Sequence, residues 1–274
     1  MLLTRHQTKQ GARWAVDGFF LWRDFTLGGL LELRRDAMLQ TLTTLPRADA
    51  ATGELLAPIE PLHEVWAAGV TYLRSRDARR AESQVADVYD RVYDAARPEL
   101  FFKALGSRVV APEMPIRIRA DSRWNVPEPE LVIVVNRHRE IIGYCAGNDV
   151  SSRDIEGENP LYLPQAKVYN GSCALGHGIL LCESDQIGDL TIRLQVRRKN
   201  QVAFEGEATT AQMKRTPPEL VGYLTRELNF PNGVFLMTGT CIVPGEEFTL
   251  QPDDIVHIEV GASTISNRVA GSPG

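Results

Sequence analysis

Apolar residues along this chain come in short runs punctuated by Gly, Pro, Asn and Asp. "ELFFKAL", "ELVIVV", "EIIGYCAGNDV", "GILLCE", "LTIRLQV", "VAFEGEA" and "IVHIEV" are rich in β-branched and aromatic residues and predict strands. "LQVRRKNQVAF" predicts a hairpin that turns near Lys199 and Asn200. Helical spacing is rarer. "GGLLELRRDAMLQTLTTLP" has it and stops before Pro46, and "TPPELVGYLTREL" opens on prolines, as first helical turns do. "TYLRSRDARRAESQVADVYDRVYDAARPE" is charged and nearly free of Gly and Pro. It predicts a polar helix over 72–94, either a lid or an ordinary surface helix.

These elements divide the chain in two. Residues 1–60 predict a small α+β domain: short strands in "ARWAVDGFFLW", one helix, then "RADAATGELLAPIEP" as a linker or long loop. Residues 61–274 carry most of the strand signals and predict the main, catalytic domain. Many short strands, few helices and no internal repeat predict an α+β, mostly β, folded-over architecture rather than alternating βαβ units.

Composition narrows the function classes. With 43% hydrophobic and 24% charged residues, the 274-residue chain reads as a globular protein. Lys and Arg number 30 against 35 Asp and Glu, a net charge of −5 that disfavours nonspecific nucleic-acid binding. The basic stretches "RSRDARRAE" and "VRRKN" are short, and read as solvated faces. Cys145, Cys173, Cys182 and Cys241 form no C-x-x-C pair, which argues against a structural zinc site and for buried thiols in a reducing compartment. No apolar run approaches membrane-spanning length, and "MLLTRHQTKQGARW" lacks the apolar core of a signal peptide. The expectation is a cytoplasmic protein with a small-molecule ligand, no nucleic acid and no membrane.

Candidate chemistry begins at "WNVPEPELVIVV". Strand alternation points Glu128 and Glu130 to one side, about 7 Å apart along the strand. Two like charges so close are costly if buried, unless a cation lies between them. The bland account is a solvated strand entry, with Pro127 and Pro129 marking an edge or loop end. Asp149, in "YCAGNDVSSRD", ends another predicted strand and supplies a third carboxylate. Three carboxylates suit Mg²⁺ or Mn²⁺, which take oxygen ligands and leave positions for substrate. Lys167, in "LPQAKVYNGSCALG", is flanked by apolar residues and turns. Desolvation beside a cation favours the neutral amine, so Lys167 is a candidate base, with a surface lysine pairing with Glu156 or Glu158 as the alternative. In "FLMTGTCIVPGE", Gly239 allows close backbone approach, and the flanking Thr238 and Thr240 offer hydroxyls.

The order of these pieces resembles the fumarylacetoacetate hydrolase family: E-x-E on a strand, "NDVSSRD", a lysine before "CALG", "TGT", then "DDIVHIEV…SNRV". The resemblance runs from about Glu64 to Val269. It implies a mixed β-roll holding a divalent metal on Glu128, Glu130 and Asp149, with Lys167 and Thr240 as the family's lysine and threonine. The family's hydrolases carry a water-activating histidine where this chain has Ser75 in "GVTYLRSRDARRAES". His177, in "LGHG", reads as structural. "RPELFFKA", "DSRWNVPEPEL" and "RDIEGENPLYLPQAKVY" resemble instead the branch that dehydrates 2-keto-3-deoxy sugar acids. That branch implies Mg²⁺-dependent conversion of a 2-dehydro-3-deoxypentonate, of arabinonate or xylonate type, to 2,5-dioxopentanoate. In such a reaction Lys167 is the first candidate for the base, with Ser75, Arg79, Glu82 or a water as candidate acid, and Arg79, Thr240 and Tyr72 as candidate substrate contacts. The resemblance also implies a homodimer or homotetramer. The alternatives are an acylpyruvate hydrolase or oxaloacetate decarboxylase on the same metal, and a non-catalytic metal-dependent binding module.

Overall fold

The computed structural model describes residues 1–73 and 92–271. Strands β1 (Leu2–Thr8), β2 (Gly11–Val16), β3 (Phe19–Phe20) and β4 (Glu54–Leu56) open the chain, with helices α1 (Leu27–Leu31) and α2 (Arg35–Thr44) between β3 and β4. Next come β5 (Glu64–Gly69), β6 (Glu99–Leu105), β7 (Ile116–Arg117), β8 (Asn125–Val126), β9 (Pro129–Val135), β10 (Ile141–Asp149) and β11 (Ser151–Ser152). Two short helices, α3 (Arg153–Glu158) and α4 (Leu163–Lys167), lead to β12 (Cys173–Leu175) and β13 (Ile179–Leu181). A hairpin of β14 (Thr191–Arg198) and β15 (Gln201–Thr209) precedes α5 (Pro217–Leu224). The last strands are β16 (Val234–Thr240), β17 (Ile255–Val260) and β18 (Ser263–Ala270).

Among the described residues, the larger sheet runs β3-β2-β1-β13-β10-β9-β16-β5-β6, with β12 also on β10 and β4 also on β1. The smaller runs β15-β14-β17-β18-β7. Pairings are antiparallel except β16 with β5 and β18 with β7. This is the mixed β-roll that the resemblance implies. The uninterrupted apolar run of β9 follows from its place between β10 and β16, where both faces are covered. Leu131, Ile133 and Val135 pack with Ile192, Leu194 and Val196 of β14 and with Val256 and Ile258 of β17. Val132 and Val134 join a second cluster with Leu27, Leu31, Met38 and Leu42. The strands of residues 1–60 enter the same large sheet, through Leu2 and Leu3 of β1 opposite Leu180 and Ile179 of β13.

The β14–β15 turn falls on Lys199 and Asn200, whose φ of 50° and 65° give the left-handed pair of a type I′ hairpin. Helix α5 starts on prolines, and the Thr216 hydroxyl accepts from the Glu219 N–H. Three stretches differ from expectation. "RADAATGELLAPIEP" contains β4, paired with β1 from Arg5↔Leu56 to Gln7↔Glu54. The three residues of β4 are too few to show alternation, so a partner strand selects them. The first predicted helix is broken into α1 and α2. The turns around Lys167 are α3 and α4, of 6 and 5 residues, shorter than two helical periods. The predicted helix over 72–94 lies almost wholly outside the described residues.

Candidate metal centre and active site

β9 and β10 bring the acids together. They pair antiparallel with Glu130 opposite Gly147, and the Asp149 N–H donates to the Glu128 carbonyl at 3.0 Å. Glu128, Glu130 and Asp149 therefore project into one space, where each offers a carboxylate oxygen within 4.8 Å of the others. All three are at most 2% exposed, so the solvated-entry account of Glu128 and Glu130 does not hold. Pro129 is tolerated because it is the first residue of its strand, which is central rather than an edge.

Burial raises the Glu130 carboxyl well above the usual glutamate range, and Asp149 and Glu128 push it further up. Lys167 and the Gly239 N–H pull the other way without cancelling the rise. That N–H donates to Glu130 Oε2 at 2.6 Å. Gly239 has a φ of +92°, and a Cβ there would lie 2.1 Å from Thr71 Oγ1, so only glycine fits. The close backbone approach expected of this glycine is made to a carboxylate.

Lys167 is the last residue of α4 and is 1% exposed, so it is no surface lysine. Its Nζ donates to Glu128 Oε2 at 2.7 Å, Asp149 Oδ2 at 3.1 Å and Ser151 Oγ at 2.5 Å. The ammonium thus sits against the carboxylates as a cation would. Thr240 lies opposite Glu130 across β16 and β9. Its hydroxyl faces its own turn, 3.2 Å from the Ile242 carbonyl. Tyr72 is buried, and its phenol is raised far above its ordinary value by burial, then by the neighbouring Cys241 and Glu130. Tyr72 therefore borders the acids. Ser75, Arg79 and Glu82 lie outside the described residues. His177 Nδ1 is 3.2 Å from the Thr264 carbonyl.

Two buried cations escaped sequence reasoning. Arg153, 1% exposed on α3, places Nε 3.5 Å from Glu128 Oε1. Lys103, also 1% exposed, forms an ion pair with Asp149 Oδ1. Arg153 stood in the quoted motif "NDVSSRD" but gave no sign of burial. Lys103 sits mid-strand in "ELFFKAL", where a lysine ordinarily faces solvent.

The residues fit a hard divalent cation. Three buried carboxylates share one space, and one of them is held towards its neutral form by its neighbours. A set of oxygens without thiol or imidazole suits Mg²⁺ or Mn²⁺ rather than zinc.

Known proteins resemble this chain over most of its length. Residues 64–270 match the family model described as fumarylacetoacetate (FAA) hydrolase, C-terminal. A probable 2-keto-3-deoxyxylonate dehydratase from Haloferax volcanii is 49% identical over 75% of this chain and 72% of its own length. A 2-dehydro-3-deoxy-D-arabinonate dehydratase from Saccharolobus solfataricus is 45% identical over 77% of this chain and 70% of its own. A crystal structure of a 2-keto-3-deoxyarabinonate dehydratase superposes with a TM-score of 0.86 at 34% identity, covering both chains completely. Another, of a 2-keto-3-deoxy-D-arabinonate dehydratase complexed with magnesium and 2,5-dioxopentanoate, gives 0.80 at 32% identity, again over both whole chains. From these matches and the shared roll, the chain belongs to the fumarylacetoacetate hydrolase family.

Proposed function

We propose that this protein is a Mg²⁺-dependent hydro-lyase that converts a 2-dehydro-3-deoxypentonate, of arabinonate or xylonate type, to 2,5-dioxopentanoate. The observation that carries the proposal is the buried trio of Glu128, Glu130 and Asp149 with the Lys167 ammonium against it. The two dehydratase relatives support the substrate class. Glu128, Glu130 and Asp149 would hold the metal. Bound there, Mg²⁺ supplies Lewis acidity to a 2-oxo acid and so makes its C3 hydrogens more acidic.

Lys167 is the base that takes the C3 proton, because its Nζ lies between Glu128 and Asp149, whereas Lys103 is engaged by Asp149 Oδ1 and the Lys167 carbonyl. To act as a base, Lys167 must enter the reaction as the neutral amine. The electron pair released at C3 forms the C3–C4 double bond and expels the C4 hydroxyl, which leaves as water after gaining a proton. Moving a proton from C5 to C3 gives the C4–C5 enol, whose hydroxyl proton then moves to C4 to give the aldehyde, so the net change is loss of one water. Ser75 and Glu82 are the proposed proton donors, and Arg79, Thr240 and Tyr72 the proposed substrate contacts. Tyr72 and Thr240 have the support of lying beside and opposite Glu130. Residues 61–274 form the proposed catalytic domain and 1–60 the appended one. The proposed assembly is a cytoplasmic homodimer or homotetramer. Among the described residues, no helix is long and apolar enough to cross a membrane.

The test is incubation with Mg²⁺ and 2-dehydro-3-deoxy-D-arabinonate or its xylonate counterpart. The expected result is 2,5-dioxopentanoate, abolished by a chelator and restored by Mg²⁺. Faster cleavage of an acylpyruvate or oxaloacetate, with no dioxopentanoate, would replace the dehydratase by a hydrolase or decarboxylase.

A further inference from the structure

Lys103 is placed by a defect in its strand. β5 and β6 pair as Val65↔Ala104 and then Trp66↔Phe102, so Lys103 has no partner residue and forms a β-bulge. A bulge re-aims the side chain it carries. Just beyond β6, Val110 bridges Ala174 of β12, and its N–H donates to the Cys173 carbonyl at 2.8 Å. The edge of the large sheet thus curls back onto β12, the neighbour of β10, and Lys103 points at the end of β10.

There the ammonium meets four acceptors with three donors. It contacts Asp149 Oδ1 and the Lys167 carbonyl, with the Val150 carbonyl at 3.4 Å and Ser172 Oγ at 3.3 Å. Ser172 Oγ in turn lies 2.8 Å from the Lys167 carbonyl. Asp149 is thereby divided: Oδ1 is held by Lys103, and Oδ2 faces Lys167. The Lys167 carbonyl ends α4, where no intrahelical donor remains, and Lys103 supplies one. One buried side chain therefore fixes the free oxygen of a carboxylate and the backbone beneath the amine beside it.

We infer that Lys103 is a positioning residue, which sets the orientation of Asp149 towards the metal and the placement of Lys167 towards substrate. The inference rests on the proposed roles of Asp149 and Lys167. Lys103 would act through Asp149 and Lys167, the groups it contacts.

Lys103→Met keeps most of the stem and removes the ammonium. Titration of the metal-free protein with MgCl₂, followed by calorimetry, is expected to show binding about 10- to 100-fold weaker than wild type, the usual effect of losing a partner behind a metal ligand. At saturating Mg²⁺, kcat is expected to stay depressed while KM for the sugar acid changes little, because Lys167 is misplaced rather than the substrate lost. Ser172→Ala keeps every charge and withdraws one contact from Lys103 and one from the Lys167 carbonyl. It is expected to weaken Mg²⁺ binding in the same direction by a smaller factor. A folded Lys103→Met protein with wild-type Mg²⁺ affinity and kcat overturns the inference. If that variant does not fold, wild-type Mg²⁺ affinity in Ser172→Ala overturns it. Failure of the wild-type protein to bind Mg²⁺ is a separate result, which removes the metal site before any variant is compared.

Discussion

Glu130 is the residue at which burial and charge conflict most. Its carboxyl is raised by burial, Asp149 and Glu128, so the fold favours the protonated form. A carboxyl raised above its unfolded value stabilises the fold fully at acid pH, and that contribution is lost as pH rises through the raised value. Metal-free protein is therefore expected to lose stability as pH rises from the ordinary glutamate range through the raised value. Glu130→Gln removes the loss, and its metal-free Tm at neutral pH should equal or exceed wild type, by about 2–4 °C per kcal/mol relieved. The same variant should bind Mg²⁺ at least about 10-fold more weakly. In wild type, Mg²⁺ affinity should fall with pH, as protons compete for Glu130. Calorimetry and thermal melts with and without Mg²⁺ check each part; unchanged Mg²⁺ affinity in Glu130→Gln removes Glu130 from the ligand set. Lys167 separates from the acids by a different test. Lys167→Met is expected to retain Mg²⁺ binding and to lose both dehydration and C3 hydrogen exchange with deuterated solvent. Proton exchange at the wild-type rate in a variant that no longer dehydrates would move the base elsewhere, with Glu82 the next candidate.

Among the elements, β9 and β10 decide the site, because their register sets Glu130 beside Asp149. That register was legible in part. The alternation of β9 placed both glutamates on one side, and the apolar run marked the strand as an inner one. The bulge in β6 was not legible, because "ELFFKAL" carries no mark of an extra residue, and the pairing with β5 creates it. The N-terminal elements matter for a different reason. Leu3, Trp14, Phe25, Leu27, Leu31, Met38 and Leu42 share one apolar cluster with Val132, Val134, Phe235 and Met237. Each large apolar side chain buried this way contributes about 1.5–3 kcal/mol. A fragment of residues 61–274 would expose the facing half of that cluster, a patch that promotes association. It is expected to aggregate or to melt without a cooperative transition. A monomeric fragment with a cooperative melt would show that the appended unit is dispensable for folding.

At the scale of the whole molecule, charge is arranged rather than simply balanced. The chain carries a net −5, yet the buried site sets Lys103, Lys167 and Arg153 against Glu128, Glu130 and Asp149. Buried charges persist only when paired, and here the partners come from β6, α3, α4, β10 and Glu128, the residue just before β9. The sequence by itself marked the strand-rich class, a hairpin turning near Lys199 and Asn200, and the three acids and Lys167 as candidates. Each rests on local chemistry: β-branched runs, turn residues, or a motif whose members lie close in sequence. The curl of the large sheet, the burial of Arg153 and the turn of Lys103 towards Asp149 were decided only in three dimensions. The reason is physical: Lys103 and Asp149 are brought together by pairings among strands distant along the chain, and no local pattern encodes which strand ends meet.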